Sequence, residues 1–180
     1  MGFVPFLVPA VVYRGKDMNY ESRCLKKLKE LDAPLENWRC VGMIDGDEAD
    51  FQCELCGYES VRYVHVMKHD EYPEKLRVGC ICAGVMEGDL LAAKDRDRKM
   101  KNRAKRKQNL PKRNWNRLRN GSYHLRYRGQ HLFINEENGR YNCCCAGIRV
   151  YSYRNRPITD FLSAAYAAFD LADPVEEVMQ

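Results

Sequence analysis

The apolar positions of this chain change period several times. Residues 20–31, YESRCLKKLKEL, bring Cys24, Leu25, Leu28 and Leu31 near one face, which predicts a short amphipathic helix. Asn19 is placed to cap it, and Ala33-Pro34 to end it. Val61, Tyr63 and His65 then alternate with Arg62, Val64 and Val66, and Leu76 and Val78 mark a second strand beyond the turn at 69–73. Leu90, Ala93, Met100 and Ala104 form a thin stripe at helical spacing, predicting one helix over 84–109 that breaks at Leu110-Pro111. Alternation returns with Tyr123, Leu125 and Tyr127 inward and His124, Arg126 and Arg128 outward. The segments 131–135 and 141–146 follow as strands joined through Asn138-Gly139, a strong hairpin signal. A helix over 159–171 then has Leu162, Ala165 and Phe169 to cover the sheet.

The pattern predicts an α+β protein in three parts: an N-terminal extension with a short helix (1–50), a small module ending in a basic helix (51–110), and a three-stranded antiparallel sheet with a packing helix (111–180). The opening segment 3–12 is apolar but holds two prolines and is too short to span a bilayer, so it is expected as an edge strand or packed arm. The acidic stretch 45–50 lacks the donor pattern of a calcium loop and is expected as solvated loop.

Net charge is +5 over 180 residues, but its distribution is uneven. Residues 1–93 hold 11 Lys/Arg against 16 Asp/Glu, residues 94–119 hold 13 against 2, and residues 120–180 hold 6 against 7. A dense positive block attracts polyanions and gains affinity by counterion release. Arg96, Lys99, Arg103, Arg106 and Lys107 of that block are the candidate phosphate contacts, with Asp95 and Asp97 pairing to Lys99 and Lys101 along the helix.

Cysteine chemistry sharpens this. Cys53 and Cys56 form a C-x2-C pair followed by Gly57, and Cys80 and Cys82 form a C-x-C pair. Four thiolates in two clusters suit a closed, structural tetrahedral Zn2+ site. The tighter second pair leaves His65, His69 or Cys40 as alternative ligands. Cys24 is explained by the apolar face of its helix, and Cys143, Cys144 and Cys145 alternate along a strand, so they are expected as small packing residues. Nine cysteines without an evident secretory leader predict a reduced, cytoplasmic setting rather than a disulfide-stapled protein.

Knuckle, hairpin and a second ligand pair at a helix start, over about residues 51–109, resemble the treble-clef zinc fold. The resemblance implies that zinc joins knuckle to helix in place of a larger core. Residues 115–171, through WNRLRNGSYHLRYR, NGRY and AAYAAF, more distantly resemble the DNA-binding modules of AP2-type regulators and of integrase arms. That resemblance implies that Arg126, Arg128 and Arg140 contact DNA from an exposed sheet.

The expected function is a non-catalytic, zinc-containing nucleic-acid-binding regulator or accessory protein, of a mobile element or phage, with DNA as the favoured partner. The alternatives are an adaptor or inhibitor that docks on a host nucleic-acid-processing complex and, behind it, a metal-dependent nuclease using His65 or His69 with Asp70. A zinc held by four cysteines has no open position for catalysis, and the basic helix contributes no histidine. No phosphate-binding glycine loop, nucleophile elbow or dinucleotide fingerprint indicates a small-molecule substrate.

Overall fold

The computed structural model describes residues 17–46 and 51–175. Segment 3–12 and positions 47–50 lie outside them. The chain divides into two compact units, the first reaching Met100 and the second running Lys101–Val175. Both combine helices with antiparallel sheet, as the α+β expectation requires.

In the first unit, α1 (Asp17–Glu30) buries Cys24 and Leu28, four residues apart on one face. It starts earlier than the pattern suggests, so Asn19 lies inside the helix rather than at its cap. Its carbonyls are closed by Ala33 N–H donating to Leu28 O at 2.9 Å. Strands β1 (Arg39–Asp45), β2 (Tyr63–His69) and β3 (Tyr72–Val78) form a sheet in that order. β1 escapes the alternation rule because its register shifts between Cys40 and Gly42. Residues before 51 supply Cys24, Leu28, Trp38 and Cys40 to the same core as Val64, Met67, Val78 and Met86.

The helix expected over 84–109 is two helices, α2 (Cys80–Glu87) and α3 (Leu90–Asn109). Gly88 adopts the left-handed conformation at φ 72°, and the Asp89 carboxylate accepts from Ala92 N–H at 2.9 Å. A glycine stop directly followed by an aspartate cap ends one helix and starts the next.

In the second unit, β4 (Asn116–Arg117), β5 (Tyr123–Tyr127), β6 (Gln130–Glu137), β7 (Arg140–Cys145) and β8 (Ile148–Val150) form one antiparallel sheet in sequence order. The three expected strands are its centre; β4 and β8 extend it, β8 through a turn at Ala146-Gly147. β9 (Ser152–Tyr153) and β10 (Arg156–Pro157) make a separate small ribbon. β8, a further hairpin-connected strand at the sheet edge, departs from the three-stranded pattern of the AP2-like resemblance. Helix α4 (Phe161–Ala172), capped by Asp160, buries Ala165 and Phe169 over Leu125, Leu132, Ile134, Cys143 and Cys145. Leu162 is exposed instead, although its i, i+7 spacing puts it on the same helix face as Phe169; it sits in the first turn of α4, where that face is not covered.

The α2–α3 corner is tight. A Cβ on Gly84 would sit 2.7 Å from Leu90 Cα, a backbone atom that cannot swing aside. Alanine gains about 1 kcal/mol of helix propensity, but overpacking against backbone costs about 1–3 kcal/mol. Gly84→Ala is therefore expected to lower the urea midpoint of the first unit, and an unchanged or raised midpoint would show that the corner relaxes freely.

Candidate metal centre and cationic surface

The C-x2-C segment turns sharply through Gly57, whose N–H donates to Cys53 O at 2.9 Å, while Cys53 N–H donates to Tyr58 O at 2.8 Å. That turn presents Cys53 and Cys56 together, and Cys82 on α2 joins them with all three sulfurs within 4.8 Å of one another. Of these sulfurs and that of Cys24, only Cys53, Cys56 and Cys82 lie mutually within 4.8 Å, but Cys24 of α1 lies beside this trio: its Sγ is 3.1 Å from Cys82 Sγ. This is longer than the roughly 2.05 Å of a disulfide. Thiolates about 2.3 Å from a tetrahedral metal stand about 3.8 Å apart, a spacing compatible with the mutual approach of Cys53, Cys56 and Cys82 within 4.8 Å.

Electrostatics of the cluster favour a cation. The sulfur contact with Cys82, then N–H groups of Cys56, Gly79 and Leu55, hold the Cys53 thiol at a pKa of about 5 against opposing burial. Gly79 N–H donates to Cys53 Sγ at 3.4 Å. Cys82, facing two sulfurs in a buried position, is driven strongly upward. A buried sulfur cluster that cannot hold several negative charges alone is a site that a divalent cation neutralises.

Three of the four expected ligands, Cys53, Cys56 and Cys82, are thus together, and Cys80 is not among them. Residues i and i+2 on a helix diverge by about 200°. Cys80 instead lies with His65 and Asp97, whose donor atoms are within 4.8 Å of one another and of its sulfur. Cys40 lies 4.0 Å from His65 Nδ1, and His69 accepts from Glu71 N–H at 3.0 Å. The approach of Cys24 to Cys82 has no signal in the sequence, since one cysteine on an apolar helical face carries no spacing pattern. Burial lowers the pKa of His65 to about 4.

The expected phosphate contacts fare unevenly. Arg96 is largely buried in an ion pair with Glu87, and exposed Lys99 pairs with Asp95 at 3.1 Å. Arg103 is buried, donating to Asp173 O at 2.7 Å and to Asp170 at 2.6 Å. Lys107 reaches Asp170 at 2.6 Å, and Arg106 reaches Asp173 at 2.9 Å. Arg128 is exposed but lies 3.3 Å from Asp173. Arg126 and Arg140 are exposed.

Arg126 belongs to the sheet face opposite α4. Its cross-strand neighbour is His131; His124 pairs with Phe133, Phe133 with Cys144, and Cys144 with Arg149. His124 stacks on His131 and Phe133, with ring centroids 5.1 and 4.9 Å apart. Gln130, His131, Phe133, Cys144, Ala146 and Gly147 line an open pocket of about 300 Å³ on this face. Cys143 and Cys145 point the other way into the core.

No protein-family model, curated protein or solved structure matches the chain. Among the described residues, no helix is long and apolar enough to cross a membrane.

Asp173 supports a test of the second unit. Burial raises its pKa, but the bonds from Arg106 and the Tyr127 hydroxyl and the charges of Arg106 and Arg128 outweigh this, leaving it below the ordinary carboxylate value. A folded pKa below the unfolded one gives stability that is complete above about pH 4 and fades as pH falls through the lower folded value. Asp173→Asn is expected to cost about 2 kcal/mol at neutral pH, with the gap to the parent narrowing on acidification. Urea unfolding across that range checks it; a gap independent of pH would contradict the charged role.

Proposed function

We propose that the chain is a non-catalytic nucleic-acid-binding protein, with a structural zinc module in its first unit and the polyanion-binding surface in its second. The carrying observation is the charge of Lys101–Val175, which holds 15 Lys/Arg against 5 Asp/Glu. Asp170 and Asp173 between them engage Arg103, Arg106, Lys107 and Arg128, so these cations serve the fold. The contact surface then falls on the open sheet face, where Arg126 and Arg149 flank His131 and Phe133. Guanidinium groups beside aromatic rings suit phosphates and stacked bases respectively. Arg140, exposed at the β6–β7 turn, extends the surface.

For the first unit, zinc is favoured because the donors are soft sulfurs that can surround a tetrahedral ion. The order of knuckle, hairpin and helix supports the treble-clef-like reading, with Cys24 of α1 as the fourth ligand. Purified protein should contain zinc, and Cys24→Ser and Cys53→Ser should each lose about one equivalent. Unchanged zinc in both variants would remove the thiolate site from the account.

Binding is read by anisotropy of labelled single- and double-stranded DNA and RNA oligonucleotides over a salt series. Arg126→Ala with Arg149→Ala is expected to weaken binding at least about tenfold and to reduce the log–log salt slope by about 2 if both arginines meet phosphates. No binding at low salt would overturn the proposal, and binding indifferent to the double variant would remove the sheet face from it.

A further inference from the structure

We propose that His65, Cys80 and Asp97 form a second metal site, distinct from the thiolate cluster, for a borderline divalent ion of the zinc class. The three come from separate elements of the first unit: His65 from β2, Cys80 from the first position of α2, and Asp97 from the early part of α3. Their donor atoms nevertheless lie within 4.8 Å of one another. One imidazole, one thiolate and one carboxylate is a donor set that zinc accepts, at distances of about 2.0–2.3 Å.

The histidine supplies an independent observation. His65 is fully buried, and its Nε2 has no hydrogen-bond partner. A buried polar atom without a partner costs about 1–3 kcal/mol, so it marks a place where a partner is expected. The other ring nitrogen explains the tautomer. Cys40 donates its thiol proton to Gly42 O at 3.4 Å, which leaves its sulfur as an acceptor 4.0 Å from His65 Nδ1. Nδ1 then carries the ring proton, and Nε2 carries the lone pair that a metal needs. Holding a ligating histidine through its second nitrogen is how proteins orient such rings.

Charge also balances. A Cys80 thiolate and an Asp97 carboxylate neutralise a divalent ion, while the adjacent Arg96 is neutralised by Glu87. Cys80 and Asp97 are each half-buried, so solvent can supply a water as fourth ligand to an ion held by three protein donors. An open position distinguishes this site from the closed thiolate cluster. It also assigns Cys80 a ligand role that divergence from Cys82 along α2 denies it in the cluster.

The inference is independent of nucleic-acid binding, and its test separates it from the zinc cluster. Metal-free protein, kept reduced, is titrated with Co2+, and the bound equivalents and thiolate-to-metal charge-transfer absorbance are recorded. Wild-type protein should take about two equivalents, and Asp97→Asn and His65→Gln about one each, retaining the sulfur-rich spectrum. Cys24→Ser should lose that spectrum and keep the weaker, single-thiolate one. Asp97 is half-exposed, so Asp97→Asn serves as the readout if the buried histidine variant fails to fold. Wild-type binding of one equivalent, or an Asp97→Asn stoichiometry equal to wild type, would overturn the second site. Loss of the sulfur-rich spectrum in Cys80→Ser with no effect of Asp97→Asn would overturn it too, by returning Cys80 to the cluster.

Discussion

Cys82 stands where three segments meet that the chain keeps far apart: α1 through Cys24, the knuckle through Cys53 and Cys56, and α2 through itself. Sulfurs this close repel once ionised and hydrogen-bond weakly when protonated, so by themselves they make a poor core. On the proposed reading, a divalent ion would turn this packing into strong metal–sulfur bonds and fix the angle at which each segment leaves the cluster. Leu28, Trp38, Met67 and Met86 belong to the same buried cluster as Cys24, Cys53 and Cys82.

The second unit solves a different problem. Its sequence is strongly cationic, and two carboxylates on and just after α4 act as internal counterions. Asp170 binds Arg103 and Lys107, residues one helical turn apart, while Asp173 receives Arg106, Arg128 and the Tyr127 hydroxyl. A basic run is therefore not equivalent to a basic surface. Cations drawn into the fold pair with carboxylates at the end of α4, and those on the opposite sheet face stay exposed.

How much of this the residues disclose depends on how local each signal is. Period-two alternation at 123–127 and the Asn138-Gly139 turn place the central strands and the direction of Cys143 and Cys145 correctly, because pleat and turn chemistry act over a few residues. The Gly88-Asp89 break was also written locally, but the charged pattern running through it looks continuous with one helix. Cys24 and Cys82 are 58 positions apart, and Arg103 and Asp170 are 67 apart. No spacing rule links such pairs, so the approach of Cys24 to Cys82 and the internal counterions became visible only in three dimensions. The C-x-C pair shows the opposite failure: adjacency suggested a shared ion, whereas helical geometry sends the two thiols apart.

The central claim, that a metal at the thiolate junction holds the first unit together, is tested most directly by hydrogen exchange before and after chelation. Peptides covering α1, residues 51–58 and α2 should exchange at least about tenfold faster once the metal is removed, while peptides from α4 in the second unit stay protected. Equal protection of the first unit with and without metal would contradict the account.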